Sequence, residues 1–198
     1  IAFLLLAGFI AAFIDSTVGG GGLISTPALL ALGLPVNFAL GTNKLAASMG
    51  GLMSVFSFWR AGKINQKVAI SLMPLSFLGS ALGAYVVYLL PEQLMKNVIV
   101  VLLVAVAVYT YRRKDWGDVS AVKQLGLAAL LGSVVMAFGI GFYDGFFGPA
   151  TGSFFAIGFI ALLGFNLTKA TAHAKVLNFV SNISSLCFFM FYGKIYWS

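Results

Sequence analysis

Four ionisable side chains lie within otherwise apolar stretches: Asp15, Lys44, Asp144 and Lys175. A charge held near mid-bilayer costs about 3 kcal/mol on insertion scales, so such a residue is first read as one that binds, carries or neutralises something. The four form two matched pairs. Asp15 recurs 129 positions later (15 to 144) as Asp144, and Lys44 recurs 131 positions later (44 to 175) as Lys175. Accident rarely places rare residues in register twice. Ammonium groups in an apolar setting suit a small anion, and carboxylates there suit proton coupling or helix capping.

Their neighbours extend the chemistry. Asp15 precedes Gly19, Gly20, Gly21 and Gly22, while Asp144 precedes Gly145, Gly148, Pro149 and Gly152. Glycine lets backbone N–H groups approach a ligand, and a helix starting there offers partial positive charge. Gly19, Gly20, Gly21 and Gly148 are therefore candidate anion-binding positions. Thr42 and Asn43 beside Lys44, and Thr171 and His173 beside Lys175, are candidate hydrogen-bonding partners. A carboxylate beside a bound anion would repel it, so at least one of Asp15 and Asp144 is expected to be protonated or hydrogen-bonded away. Plainer roles compete: glycines permit close helix packing, aspartates cap helices or tie down amides, lysines snorkel from helix ends, and His173 is a hydrogen-bonded interior side chain.

The elements that must position these residues are membrane helices. Of 198 residues, 61% are hydrophobic and 9% charged, against about 25% charged in an ordinary soluble domain. Runs at 68–90, 124–143 and 145–168 carry no charge, and about 20 apolar residues suffice to cross a bilayer as helix. They lack the alternation of barrel strands. The net charge of +7 is spread between apolar runs, which fits the positive-inside rule and not a nucleic-acid surface. One cysteine, Cys187, excludes an internal disulfide and a multi-cysteine metal site.

The matched residues belong to a longer repeat. Phe13 to Gly19 reads like Phe142 to Gly148, and Gly33, Lys44 and Gly62-Lys63-Ile64 match Gly164, Lys175 and Gly193-Lys194-Ile195. Each copy reads as two short Gly/Pro-interrupted segments, then a helix (44–59 in the first copy), then two full spans at 68–90 and about 94–111. An odd number of segments turns the second copy over, giving two inverted repeats with short broken or re-entrant helices. The expected divisions are a first transmembrane repeat at 1–114, a cytoplasmic linker at 115–123 and a second repeat at 124–198. Arg60, Lys63, Lys67, Arg112, Arg113, Lys114 and Lys123 then share the cytoplasmic side, with the N-terminus outward. The second copy stops at the counterpart of Lys67, and the chain starts with Ile, so the sequence is expected to be a fragment lacking two C-terminal helices.

No Walker A loop, His-Glu-x-x-His or Gly-x-Ser-x-Gly occurs, so ATP hydrolysis and the common zinc and serine hydrolase chemistries find no signature, and no cofactor is expected. The motifs Asp15-Ser16-Thr17-Val18-Gly19-Gly20-Gly21-Gly22, Gly41-Thr42-Asn43-Lys44-Leu45, Gly141-Phe142-Tyr143-Asp144-Gly145-Phe146-Phe147-Gly148-Pro149 and Lys169-Ala170-Thr171-Ala172-His173-Ala174-Lys175 together resemble the sulfite exporter TauE/SafE family, in particular its YfcA-like branch. The resemblance covers essentially the whole chain. It implies a longer chain of about 250 residues with further C-terminal helices, residence in the bacterial inner membrane and transport of sulfite, sulfonates or related organosulfur anions. The expected partners are that anion and the lipid bilayer. The expected mechanism is alternating access around a site between the repeats. An anion channel would use the same site, and an intramembrane aspartyl enzyme would instead bring Asp15 and Asp144 together as a proton-sharing dyad.

Overall fold

The computed structural model describes residues 2–17, 20–112 and 126–196. Gly19 and the 115–123 linker lie outside them. Among the described residues the chain is all helix: α1 (Ala2–Thr17), α2 (Gly22–Ala31), α3 (Val36–Arg60), α4 (Gln66–Leu89), α5 (Glu92–Arg112), α6 (Leu127–Phe146), α7 (Thr151–Leu163) and α8 (Leu167–Phe191). Helices α4, α6 and α8, and residues Glu92–Tyr109 of α5, are long and apolar enough to cross a membrane. Large apolar side chains such as Phe9, Phe13, Val101, Val135 and Phe191 are exposed, as expected where lipid takes the place of water. This is an all-α integral membrane protein.

The ends of these helices follow from local sequence. Asn65 and Asn166 cap α4 and α8 by accepting from the backbone N–H of Lys67 and Lys169 at 3.1 and 2.9 Å. Gly164 closes α7 in the left-handed conformation (φ 64°), where its N–H reaches the Ile160 carbonyl; a side chain there would be strained. The turn at 147–150, with Gly148 at φ 97° and Ala150 at φ 64°, and the stop at Gly164 together divide the uncharged run at 145–168, which is not one continuous helix. It instead supplies the end of α6, a turn, and the 13-residue α7, roughly 20 Å long against about 30 Å of hydrocarbon. Helix α6, with 20 residues, agrees in length with the uncharged run at 124–143 and is not one of the short broken segments expected at the start of each copy.

Helix α3 begins at Val36, eight residues before the expected start at Lys44, because Pro35 fits the extended N-cap position (φ −53°, ψ 144°) and the helix runs through the charged residue. Lys44 thus lies in the third turn, fully buried, so it does not snorkel from a helix end. Helices α3 and α8 have 25 residues each, start 131 positions apart (36 to 167) and carry Lys44 and Lys175 at the same position.

Two packings organise the bundle. Helices α4 and α6 touch backbone to backbone: a Cβ at Gly79, Gly83, Gly141 or Gly145 would fall between 1.9 and 2.6 Å from a carbonyl oxygen of the other helix. Small residues four apart permit this approach, which fixes the last turn of α6 where Asp144 lies. Helices α3 and α8 run antiparallel, with Gly41 against Phe189 and Gly51 against Phe179. Helix α4 is also tied to α8, since Ser76 and Ser80 donate to the carbonyls of Leu177 and Ser181 and Ser184 donates to that of Phe77. These bonds satisfy hydroxyls that hydrocarbon would leave unpaired.

Candidate functional site: crossed lysine–aspartate pairs

Because α3 and α8 run through the middle of the bundle, Lys44 and Lys175 have no route to water and must find partners inside. Lys44 Nζ lies 2.9 Å from Asp144 Oδ1, with the side chains 2% and 1% exposed. Lys175 Nζ donates to the Asp15 carbonyl oxygen and lies 3.6 Å from Asp15 Oδ2. The pairing is crossed: the lysine of each half meets the aspartate of the other. Asp15 and Asp144 face lysines and not each other, so they form no carboxylate dyad. Neither lysine presents a bare charge, because an unpaired ammonium in this setting costs far more than one held by a carboxylate. The α3–α8 register sets Lys175 beside Val55, about 16 Å along the helix from Lys44.

The glycine loops lie against these pairs. Gly148 has φ 97°, and a Cβ on it would stand 2.8 Å from Lys44 Nζ and 3.3 Å from Asp144 Oδ1; only glycine leaves the ammonium room. Its N–H is bonded to the Tyr143 carbonyl at 3.2 Å, so Gly148 contributes space and not the free amide expected of it. Gly20 donates to Asp15 Oδ1 at 3.2 Å, which is the amide-tying role of an aspartate. Gly21 packs on the Ala11 carbonyl and Asp15 Cβ, and Gly22 meets Pro149, so the two loops touch. Asn43 accepts from the Ser25 hydroxyl, joining α2 to α3. Asp15, Gly21 and Asn43 also line a cleft of about 110 Å³ between α1, α2 and α3.

Two expected site residues are elsewhere. Thr42 and His173 each stand two positions from a lysine, which is about 200° around a helix and so the far side. Thr42 Oγ1 accepts from the Tyr196 N–H at 3.1 Å. His173 Nε2 accepts from the Asn65 N–H at 2.9 Å while Nδ1 lies 2.7 Å from the Lys169 carbonyl, with the rings of Phe159 and Phe165 alongside. The two residues that differ at matched positions thus do one job, each holding the segment that follows the opposite long helix. Thr171, one turn before Lys175, is half-buried.

Sequence reasoning missed the supports. Tyr143 donates to the Pro149 carbonyl at 2.7 Å and pins the loop that carries Gly148. Ala150 adopts φ 64°, a strained state for a residue with a Cβ, and nothing in its residue type signals that. Asp144 Oδ2 is buried and takes no hydrogen bond among the described residues.

Fold and site define a polytopic helical membrane protein with paired charges buried between its halves, the type of arrangement found in secondary transporters. Comparison with known proteins agrees. Residues 4–198 match the family model "Sulfite exporter TauE/SafE", and the chain belongs to that family. It is 42% identical over 197 residues to a probable membrane transporter protein, ORF9, of Sinorhizobium sp, covering 100% of this chain and 75% of the relative. It is 43% identical to a probable membrane transporter protein of Haemophilus influenzae, covering 100% and 76%. It is 39% identical to the probable membrane transporter protein YfcA of Escherichia coli, covering 98% and 72%. No solved structure matches. The protein is a multi-pass bacterial inner-membrane protein of the TauE/SafE transporter type.

Proposed function

We propose that this protein carries small sulfur-containing oxyanions, sulfite or simple sulfonates, across the membrane by alternating access, and that the crossed pairs Lys44–Asp144 and Lys175–Asp15 are its working parts. The observation that supports this reading is the crossing itself. Each pair ties one half of the bundle to the other, so the halves stay locked while both hold. An entering anion competes with the aspartate for the lysine. Breaking a buried pair with nothing in its place costs about 3–5 kcal/mol, and an anion that takes the carboxylate's place avoids that cost. Binding is thereby converted into release of the tie. In uptake the displaced carboxylate takes a proton from the outer aqueous side, and Asp144 Oδ2, which no described hydrogen-bond donor occupies, is the atom open to it.

Opposed halves in this picture are inverted repeats of 1–114 and 124–198. Arg60, Lys63, Lys67 and Arg112 gather on the side where α3 and α5 end, and Lys169 starts α8 on that same side, which is then cytoplasmic. With an interior-negative potential, anion exit is favoured by about 2.3 kcal/mol per charge per 100 mV, so export needs no coupled ion, whereas uptake needs the proton that the aspartates are placed to carry. The family name and the resemblance of the four motifs support the sulfur-anion class. The chemistry is that of a carrier and not of an enzyme. Proteoliposomes preloaded with unlabelled sulfite should accumulate radiolabelled sulfite and be competed by a small sulfonate. Currents that do not saturate would instead support a channel, and no flux of either anion would remove the substrate assignment.

A further inference from the structure

Among the described residues, four polar side-chain atoms are buried without a hydrogen bond: Thr26 Oγ1, Asn37 Oδ1, Ser48 Oγ and Asp144 Oδ2. Asn37 is in the first turn of α3; the other three belong to elements that converge on Lys44. Val36, Leu40, Lys44 and Ser48 recur at every fourth position of α3 and are all buried, so they form one stripe of that helix. Leu23, Thr26 and Leu30 share a face of α2, and Leu23 and Leu30 pack against Val36, Leu40, Phe147 and Ala150. Thr26 is 0% exposed on that face, which looks toward the loop whose Gly148 borders the Lys44 ammonium. Several helical hydroxyls pair with the carbonyl four residues back, as Ser54 and Ser57 do in α3 and Ser133 does in α6. Ser48 and Thr26 do not, although the carbonyls of Lys44 and Gly22 stand at that spacing. A hydroxyl buried without a partner is destabilising, so two of them beside a buried ion pair call for a ligand.

The second half has no such hydroxyls at the matching positions. At the repeat offset of 131, Ser48 and Thr26 correspond to Phe179 and Ile157 (48 to 179, 26 to 157), and Phe179, one turn beyond Lys175, packs on Gly51. We infer that substrates are told apart at the Lys44 end of the bundle, where Thr26 and Ser48 donate, together with Lys44, to the three oxygens of one SO3 group, the chemistry that sulfite and sulfonates share. This rests on Lys44–Asp144 being a pair that the anion opens. Lys44 alone attracts any anion. The two hydroxyls add shape, because three donors match three terminal oxygens, whereas a carboxylate offers two and leaves a buried donor unpaired, which is how a polar site rejects a near-isostere. The Lys175–Asp15 pair, with Phe179 one turn away, ties the halves without reading the ligand.

The test compares Thr26→Val and Ser48→Ala in the full-length protein, with Thr26→Ser as the conservative control. Without added anion, the melting temperature should be unchanged or raised in both, because each change removes a hydroxyl that has no partner. A fall of several degrees in either would mean a structural role and overturn the inference. In proteoliposome counterflow each change should raise the KM for sulfite about tenfold, as expected for one hydrogen bond to a charged group, and narrow the preference for ethanesulfonate over propionate by a similar factor. Thr26→Ser should keep the wild-type KM. A KM equal to wild type in both Thr26→Val and Ser48→Ala would overturn the inference. If the wild type carries neither sulfite nor ethanesulfonate, the transport assignment fails, and melting in those two anions decides the hydroxyl assignment by itself. A rise for the wild type that both variants lack would support it, and equal rises or none would overturn it.

Discussion

Removing one member of the Lys44–Asp144 pair should cost far more than removing both. The side chains are 2% and 1% exposed and 2.9 Å apart, so Lys44→Ala leaves a carboxylate, and Asp144→Ala an ammonium, with no partner and no route to water. Breaking a buried pair in this way costs about 3–5 kcal/mol. For a chain of this size about 2–4 °C accompanies each kcal/mol, which gives a fall in melting temperature of roughly 6–20 °C for either single change. The double variant Lys44→Ala/Asp144→Ala removes both buried charges and leaves only the lost packing, so it should recover most of that fall. The assay is thermal unfolding in detergent followed by tryptophan fluorescence, with Glu92–Lys96 as the internal standard. That pair is 3.1 Å apart but about half exposed, and as an i,i+4 helix pair it is worth no more than about 0.5 kcal/mol. Additive effects of the two single changes at Lys44 and Asp144, or a Lys96→Ala effect as large as that of Lys44→Ala, would refute the reasoning.

Three further changes test neighbouring parts. Gly148→Ala places a Cβ 2.8 Å from the Lys44 ammonium at φ 97°; the protein should still fold, with stability reduced by about 1–3 kcal/mol and transport reduced more than tenfold in liposome flux assays. Gly145→Ala puts a Cβ 1.9 Å from the Ser80 carbonyl, where neither backbone gives way, so the monodisperse gel-filtration peak should be lost. His173→Leu takes the acceptor away from the Asn65 N–H and should cost about 1–3 kcal/mol, while His173→Gln restores an acceptor and should match wild type in both melting temperature and flux, since this ring lies off the transport site.

The membrane class, the long helices and the four charged residues could be read from sequence because each rests on a local property: run length, periodicity, or a charge where hydrocarbon is expected. The partners of those charges could not. The offset that matched Lys44 with Lys175 says that they are equivalent, but it does not say that each reaches the aspartate of the opposite half, which the antiparallel crossing of α3 and α8 decides. Adjacency in sequence misled for Thr42 and His173, which helix geometry turns away from the lysines. The uncharged run at 145–168 looked long enough to cross, yet the turn at 147–150 breaks it and a left-handed glycine, Gly164, ends the helix that follows. Ala150 shows the remaining limit, since its strained conformation is imposed by the loop around it and leaves no mark in composition.

The most direct test of the central claim is counterflow of radiolabelled sulfite in proteoliposomes carrying the double variant Lys44→Gln/Asp144→Asn. It keeps neutral side chains of similar size facing each other, so the bundle should remain folded by gel filtration and melting temperature. The account predicts that this folded protein shows less than about one-tenth of the wild-type saturable flux, because one of the two crossed pairs can no longer exchange its carboxylate for the anion and Lys175–Asp15 alone does not complete the cycle. Wild-type flux through the folded double variant would contradict the account and take the anion away from the lysine.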